Sequence, residues 1–347
     1  MSWPHVLLAV MMLGGLLPAT AAEPTPADVF RHEAAEQFAA AERAKSSVVT
    51  GKDGWLFFSY ELRAMSVGKF WGPDAAAVNR VAKPEVADAI PAILDFKRQL
   101  DAAGIALIVV PVPAKAAIYP ELFSAAIAAP TPRVDVTHQA FYQVLADKGV
   151  TVLDLTPGYL QQRAAGGPAL YCKQDSHWSS AGCAAAATAL AARLTDMPWV
   201  KTVPKRKLEA TAKEIEITGD LWTMLNTPAL PKEKLPIQIV QERTKEGLAP
   251  LKPWRESPVL LLGDSHTLVF HAGEDMLASG AGLADHLALQ LGFPVDVVGV
   301  RGSGATPSRI SLLRRGDNLA GKKVVIWCFS IREFTEGQGW RLVPVIR

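Results

Sequence analysis

The stretch Leu260-Leu261-Leu262-Gly263-Asp264-Ser265-His266 changes character at its glycine. Up to that point the chain, from Val259 to Leu262, is apolar without interruption. Successive strand side chains point to opposite faces, so an unbroken apolar run marks a strand buried on both sides. Continuous apolar runs recur at Ile105 to Val110 and Val324 to Phe329, and Val150 to Leu155 and Val295 to Val300 read as further strands. Between these runs the period lengthens to that of a helix. Ala87 to Ala103 repeats Ile90, Ile93, Leu94 and Leu100 and closes at Gly104, and Val134 to Lys148 closes at Gly149. Ala181 to Leu194 and Asp275 to Leu291 read as further helices. This alternation predicts an α/β fold, a parallel sheet flanked by helices, with ligands bound outside the carboxyl ends of the strands. Ser265 then stands at such an end.

Farther out the pattern weakens. Ala27 to Lys45 has helical composition, and Gly51-Lys52-Asp53-Gly54 turns into an apolar strand, Trp55 to Phe58. Met197 to Pro253 is rich in Lys, Glu and Pro and poorly periodic, which predicts an insertion or lid over 197–253 rather than a second domain. At the start of the chain, Val6 to Leu17 is an apolar run followed by Pro18 and Ala19-Thr20-Ala21-Ala22. It is shorter than the roughly 18–20 residues a spanning helix needs and reads as a signal peptide over 1–22; an uncleaved anchor is the alternative. The n-region departs from the usual pattern in having no Lys or Arg. A helical segment (23–45) and one catalytic domain (46–347) complete the expected organisation, in a protein exported to the periplasm.

The 347 residues include 36 Lys and Arg against 34 Asp and Glu. A net charge of +2 is too small to draw in nucleic acid, and the 49% hydrophobic content supports a sizeable core. Export permits disulfides: Cys172 and Cys183 bracket a polar cluster and are candidates for a local bridge, while Cys328 reads as a buried strand thiol. The cysteine spacing fits no zinc site, and no dinucleotide or Walker pattern is present, so neither a metal nor a cofactor is expected.

A serine following a strand can act as a nucleophile whose own N–H helps bind an oxyanion; the alternative is that Asp264 or Ser265 caps the next helix. A nucleophilic serine needs a base, and Gln174-Asp175-Ser176-His177-Trp178-Ser179 supplies an imidazole with a carboxylate two residues away. Gly302-Ser303-Gly304 follows a strand and offers N–H groups to an oxyanion, or is a plain turn. Arg332 lies just past the last strand, where it meets a ligand or pairs with Glu333 or Glu336. His266 and His271 are first-turn residues near the serine, and Trp55, Trp71, Trp178, Trp222 and Trp254 either stack on sugars or fill the core.

These residues resemble, in order, the SGNH-hydrolase-like family of periplasmic polysaccharide O-acetyltransferases, of which the alginate O-acetyltransferases are the best known. The likeness includes Gly51-Lys52-Asp53-Gly54-Trp55-Leu56-Phe57, Val110-Pro111-Val112-Pro113-Ala114-Lys115 with Tyr119-Pro120, Gly149-Val150 to Asp154-Leu155, Asp175-Ser176-His177-Trp178, Gly263-Asp264-Ser265 and Val325-Ile326-Trp327 with Arg332. It implies a catalytic triad of Ser265, His177 and Asp175, with the Asp-x-His block ahead of the serine in permuted order. Gly302, Gly304 and Arg332 are the candidates for oxyanion or substrate binding, and no SGNH-block asparagine is evident. The resemblance further implies acetyl transfer to an exopolysaccharide such as alginate, an acetyl supply from a membrane-bound O-acyltransferase, and work beside the polysaccharide export machinery. A carbohydrate acetyl esterase and a noncatalytic polysaccharide-binding subunit are the competing readings. The family's carbohydrate-binding module is not expected here, so glycan contacts would fall to the catalytic domain or a partner.

Overall fold

The computed structural model describes residues 23–129 and 132–347. The expected signal peptide, 1–22, lies outside the described residues, among which no helix is long and apolar enough to cross a membrane. Among the described residues ten strands follow in order: β1 (Val48–Thr50), β2 (Leu56–Phe58), β3 (Ala106–Val112), β4 (Thr151–Val152), β5 (Leu208–Ile217), β6 (Glu233–Thr244), β7 (Gly247–Pro250), β8 (Val259–Gly263), β9 (Asp296–Gly299) and β10 (Val324–Ser330).

The central sheet has the order β4-β3-β10-β8-β9, and every neighbouring pair is parallel. All residues of β8 and β10 are buried, as are those of β3 beyond Ala106. The three most continuous apolar runs have therefore become the three inner strands, the only positions covered on both faces and flanked on both edges. Helices Ala89–Ala102, Val136–Asp147, Ser180–Leu194, Leu283–Leu291 and Thr306–Arg315 provide the cover. The mixed α/β architecture expected from the sequence is thus present.

Several boundaries differ for identifiable reasons. The expected strand Val150 to Leu155 shrinks to Thr151–Val152, because Asp154 leaves the sheet: one of its oxygens accepts the Thr156 N–H (3.0 Å), and Arg133 pairs with the carboxylate (2.5 Å). The expected helix Asp275 to Leu291 begins only at Leu283. Ahead of it Gly273, Leu277 and Gly280 all take positive φ, and Ala272 bridges Ser279, a geometry no helix accommodates. The first helix runs Pro26–Arg43 behind a Thr25–Asp28 capping box.

The stretch 197–253 has a sheet of its own, β5-β6-β7, antiparallel throughout. One face of β6 is buried at Leu235 and Ile237, between exposed Lys234, Pro236 and Gln238, whereas β5 is exposed from Ala210 to Glu214, where burial left no trace in the sequence. A short helix, Asp220–Leu225, links β5 to β6 and packs close to β2.

Cys172 and Cys183 are not bridged; both are buried free thiols, as is Cys328. Cys172 Sγ donates to the Trp178 carbonyl (3.7 Å), and burial pushes all three thiols well above their ordinary pKa. A thiol reagent should therefore label none of the three in the native protein and all of them after denaturation, with mass spectrometry as the readout. Gly263 sits where a Cβ would lie 1.8 Å from the Cys328 carbonyl oxygen of the adjacent strand. Gly263→Ala should lower stability by about 3 kcal/mol in urea unfolding, the upper end of ordinary overpacking.

Candidate active site

β8 delivers the serine. At its end Asp264 caps the single turn Ser265–Thr267: Oδ1 accepts the His266 N–H (2.9 Å) and lies 3.1 Å from His266 Nδ1. Oδ2 accepts the Ser330 N–H at the end of β10 (2.8 Å). The capping role weighed from sequence thus falls to Asp264, and Ser265 is left free to present its hydroxyl. Burial opposes ionisation of Asp264, but His266, Arg332 and the Ser330 N–H outweigh it and hold the carboxyl below its usual range.

The loop Cys172–Ser179 delivers the base, just before the helix Ser180–Leu194, which Ser179 caps. Asp175 Oδ1 accepts both the backbone N–H of His177 (2.9 Å) and its Nδ1–H (2.6 Å). His177 Nε2 then faces Ser265 Oγ at 2.7 Å. With the proton held on Nδ1 by Asp175, Nε2 is the nitrogen left to accept from the serine. Asp175, His177 and Ser265 are each about 95% buried. Burial works against protonation of His177, but Asp175 and then Asp220 prevail, and its pKa is raised above the ordinary imidazole value.

Two supports of this loop, Asp220 and Lys115, were not among the site residues expected from sequence, although Lys115 closes one of the family-like motifs. Asp220, from the insertion, donates its backbone N–H to Asp175 Oδ2 (2.9 Å), while its carboxylate accepts the N–H (2.7 Å) and hydroxyl of Ser176. Read from sequence, an aspartate after Gly219 is indistinguishable from any helix start. Lys115 is buried, and its Nζ donates to the carbonyls of Leu56 (2.7 Å) and Asp175 (2.6 Å), with Lys173 O at 3.4 Å. Its own N–H goes to the buried Glu61 carboxylate (3.0 Å). Asp175, His177 and Asp220 also place one potential metal-ligand atom each within 4.8 Å of one another. Their oxygens already accept N–H and O–H groups, which a cation would have to displace.

The hydroxyl of Ser265 opens on a cleft of about 800 Å³ lined on one side by Ile217, Met224 and Leu277 and on the other by Phe58, Gly302 and Arg332. Nothing among the described residues accepts the Ser265 backbone N–H. Gly302 lines the cleft with φ +84°, whereas Gly304 is buried, with room for no side chain between Phe329 and the Asp264 N–H. Glu333 holds the intervening loop, accepting from Ser303 Oγ (2.7 Å) and the Ala305 N–H (3.3 Å); burial, with the Asp264 charge, pushes its pKa up to about 7.

Arg332 forms no ion pair with Glu333 or Glu336, since Glu336 pairs with Arg63. Its guanidinium lies 5.3 Å above the Phe58 ring, and Nη1 is buried without a hydrogen-bond partner. His266 packs behind His177 (ring centroids 4.7 Å apart), and His271 pairs with Asp285 (2.9 Å) on the rim of a separate 440 Å³ pocket. None of the five tryptophans lines the cleft; Trp178 is fully buried and donates Nε1–H to the His266 carbonyl (3.1 Å).

Comparison with known proteins places this geometry. The chain is 29% identical over 224 residues to the probable alginate O-acetylase AlgJ of Pseudomonas aeruginosa, a match covering 64% of this chain and 52% of that protein. To the Azotobacter vinelandii protein of the same name it is 28% identical over 231 residues, 64% of this chain and 55% of the other. The chain therefore spans about half the length of the curated relatives it matches. In fold it is similar to the O-acetyltransferase domain of Pseudomonas putida AlgJ, with a TM-score of 0.62 at 21% identity, covering 83% of this chain and 92% of that one. Pseudomonas aeruginosa AlgX gives 0.59 at 17% identity, covering 86% and 66%. The family model described as "SGNH hydrolase-like domain, acetyltransferase AlgX" matches residues 48–331, and the protein belongs to that family.

Proposed function

We propose that the protein is a periplasmic O-acetyltransferase that carries an acetyl group on Ser265 and passes it to a hydroxyl of a polysaccharide, alginate being the one named for its relatives. The observation that carries this reading is the continuous relay Asp175 Oδ1, His177 Nδ1, His177 Nε2, Ser265 Oγ, with contacts of 2.6 and 2.7 Å. Ser265 Oγ attacks the acetyl carbonyl while its proton passes to His177 Nε2. The tetrahedral oxyanion collapses, and the departing donor oxygen takes that proton. In the second half a sugar hydroxyl gives its proton to Nε2 and attacks the ester, and Ser265 leaves with the proton restored. Asp175 stabilises the imidazolium in both halves. The Ser265 N–H, which has no acceptor among the described residues, and the backbone at Gly302 or Gly304 are the proposed oxyanion donors; Arg332 adds a positive charge at the same edge.

The insertion 197–253 serves in this scheme as a lid that keeps water from the acyl-enzyme. A membrane-bound O-acyltransferase is the proposed acetyl source, and the polysaccharide export machinery the setting.

Mass spectrometry after exposure to an activated acetyl ester should find one added acetyl on Ser265 and none in Ser265→Ala. An oligosaccharide acceptor should then discharge it. Release of acetate at a rate no acceptor changes would instead identify an esterase, and failure of the wild type to label would remove the enzymatic reading.

The pH dependence follows from the charges around His177. The base acts in its neutral form, so a raised pKa means that kcat/KM for acetyl loading climbs with pH through a midpoint above about 6.5. Asp220→Asn removes a negative charge and should move that midpoint down. Arg332→Met removes an opposing positive charge and should move it up.

A further inference from the structure

The cleft at Ser265 does not end at Arg332. A second cavity of about 410 Å³ begins there, lined by Phe58, Tyr60, Arg80, Gly302, Arg332 and the Glu333–Glu336 turn. It shares Phe58, Gly302 and Arg332 with the catalytic cleft, so the two cavities are adjacent. The volume falls within the range of small-ligand sites, about 300–1,000 Å³.

Its chemistry is that of a sugar platform. Phe58 and Tyr60, both half-buried, lie with ring centroids 5.3 Å apart. Tyr60 is packed by its neighbours: its ring lies against Phe38 (6.2 Å), and the guanidinium of Arg80, which also lines the cavity, lies 5.5 Å from its centroid. Arg80 is fixed in turn by Glu42 (3.0 Å). Aromatic faces take the C–H face of a pyranose ring, and a clamped ring loses little freedom when it does so. The guanidinium of Arg332 would serve the ring's hydroxyls.

Resting on the acetyltransferase reading above, we propose that the Phe58–Tyr60 cavity is a pyranose subsite that binds a sugar unit next to the one being acetylated, so that the enzyme selects polymer over free sugar. The acceptor then lies across Ser265 with sugar units on both sides of the reacting hydroxyl, and Tyr60 is its specificity-determining contact.

The test uses Ser265→Ala protein, whose binding can be measured without turnover, and two 1,4-linked series, oligomannuronates and cello-oligosaccharides, titrated calorimetrically. In at least one series affinity should rise with chain length. Tyr60→Ala in the same background should erase that gain, about ten-fold, while leaving the shortest sugars unchanged. Tyr60→Phe should keep it, because the ring makes the contact. The series that shows the gain tells whether an acidic or a neutral glycan is the acceptor. Length-independent binding, equal loss on all lengths, or no binding in either series overturns the subsite. Acetyl loading of Ser265 in a Tyr60→Ala protein with its serine intact reports separately on fold and triad, so the subsite and the transferase reading fail independently. Should that variant not load, Tyr60→Leu, which keeps apolar volume against Phe38, takes its place in both measurements.

Discussion

The Asp264 carboxylate joins the ends of two parallel strands. Nothing in a parallel ladder fixes where the chain goes after its last paired residue, and here one side chain settles it for both β8 and β10. One oxygen caps the turn bearing Ser265, and the other takes the Ser330 N–H. Such a link has to be short and ionised, which is why it is an aspartate surrounded by N–H donors and positive charge. Gly263, immediately before it, has no room for a side chain against Cys328. Ser265 is thus positioned by the central sheet itself.

The base is positioned differently, by elements distant in sequence. Its loop is held from one side by Lys115 at the end of β3 and from the other by Asp220 of the insertion. Glu233, at the start of β6, adds a further clasp by accepting the N–H groups of Lys173 and Gln174 (2.9 and 3.0 Å). Trp178 then fastens the loop to the serine turn. A triad built this way couples the chemistry to the insertion, since Asp220 both orients Asp175 and adds its charge to that felt by His177.

Electrostatics separates the roles of the two histidine–aspartate pairs side by side. In His177 the carboxylates outweigh burial and the proton affinity rises; in His266 burial prevails and it falls. The buried pair Asp264–His266 is a structural brace, while Asp175–His177 faces the cleft and can exchange a proton with the serine. The same residue types two positions apart in the chain have been assigned opposite work by what surrounds them.

The sequence by itself determined the layers and put forward the candidate triad. Inner strands must be apolar on both faces, so β3, β8 and β10 were legible as continuous runs, and Asp175, His177 and Ser265 stood at a strand end or a helix start, where capping was the competing use. Local turn chemistry was legible in Gly104 and Gly149 but not in the segment 272–282, where positive φ at Leu277 depends on packing rather than residue type. What only the tertiary structure decided were contacts between segments far apart: Lys115 on Asp175, Asp220 on Ser176, Arg332 over Phe58, and the thiols of Cys172 and Cys183 left apart. A long-range hydrogen bond to a backbone carbonyl leaves no periodicity and demands no particular neighbour in sequence. Alternation in the insertion is confined to short stretches, Ile215 to Ile217 of β5 and Leu235 to Ile239 of β6, while Ala210 to Glu214 is exposed throughout, so the insertion's fold emerged only once its partners were in place.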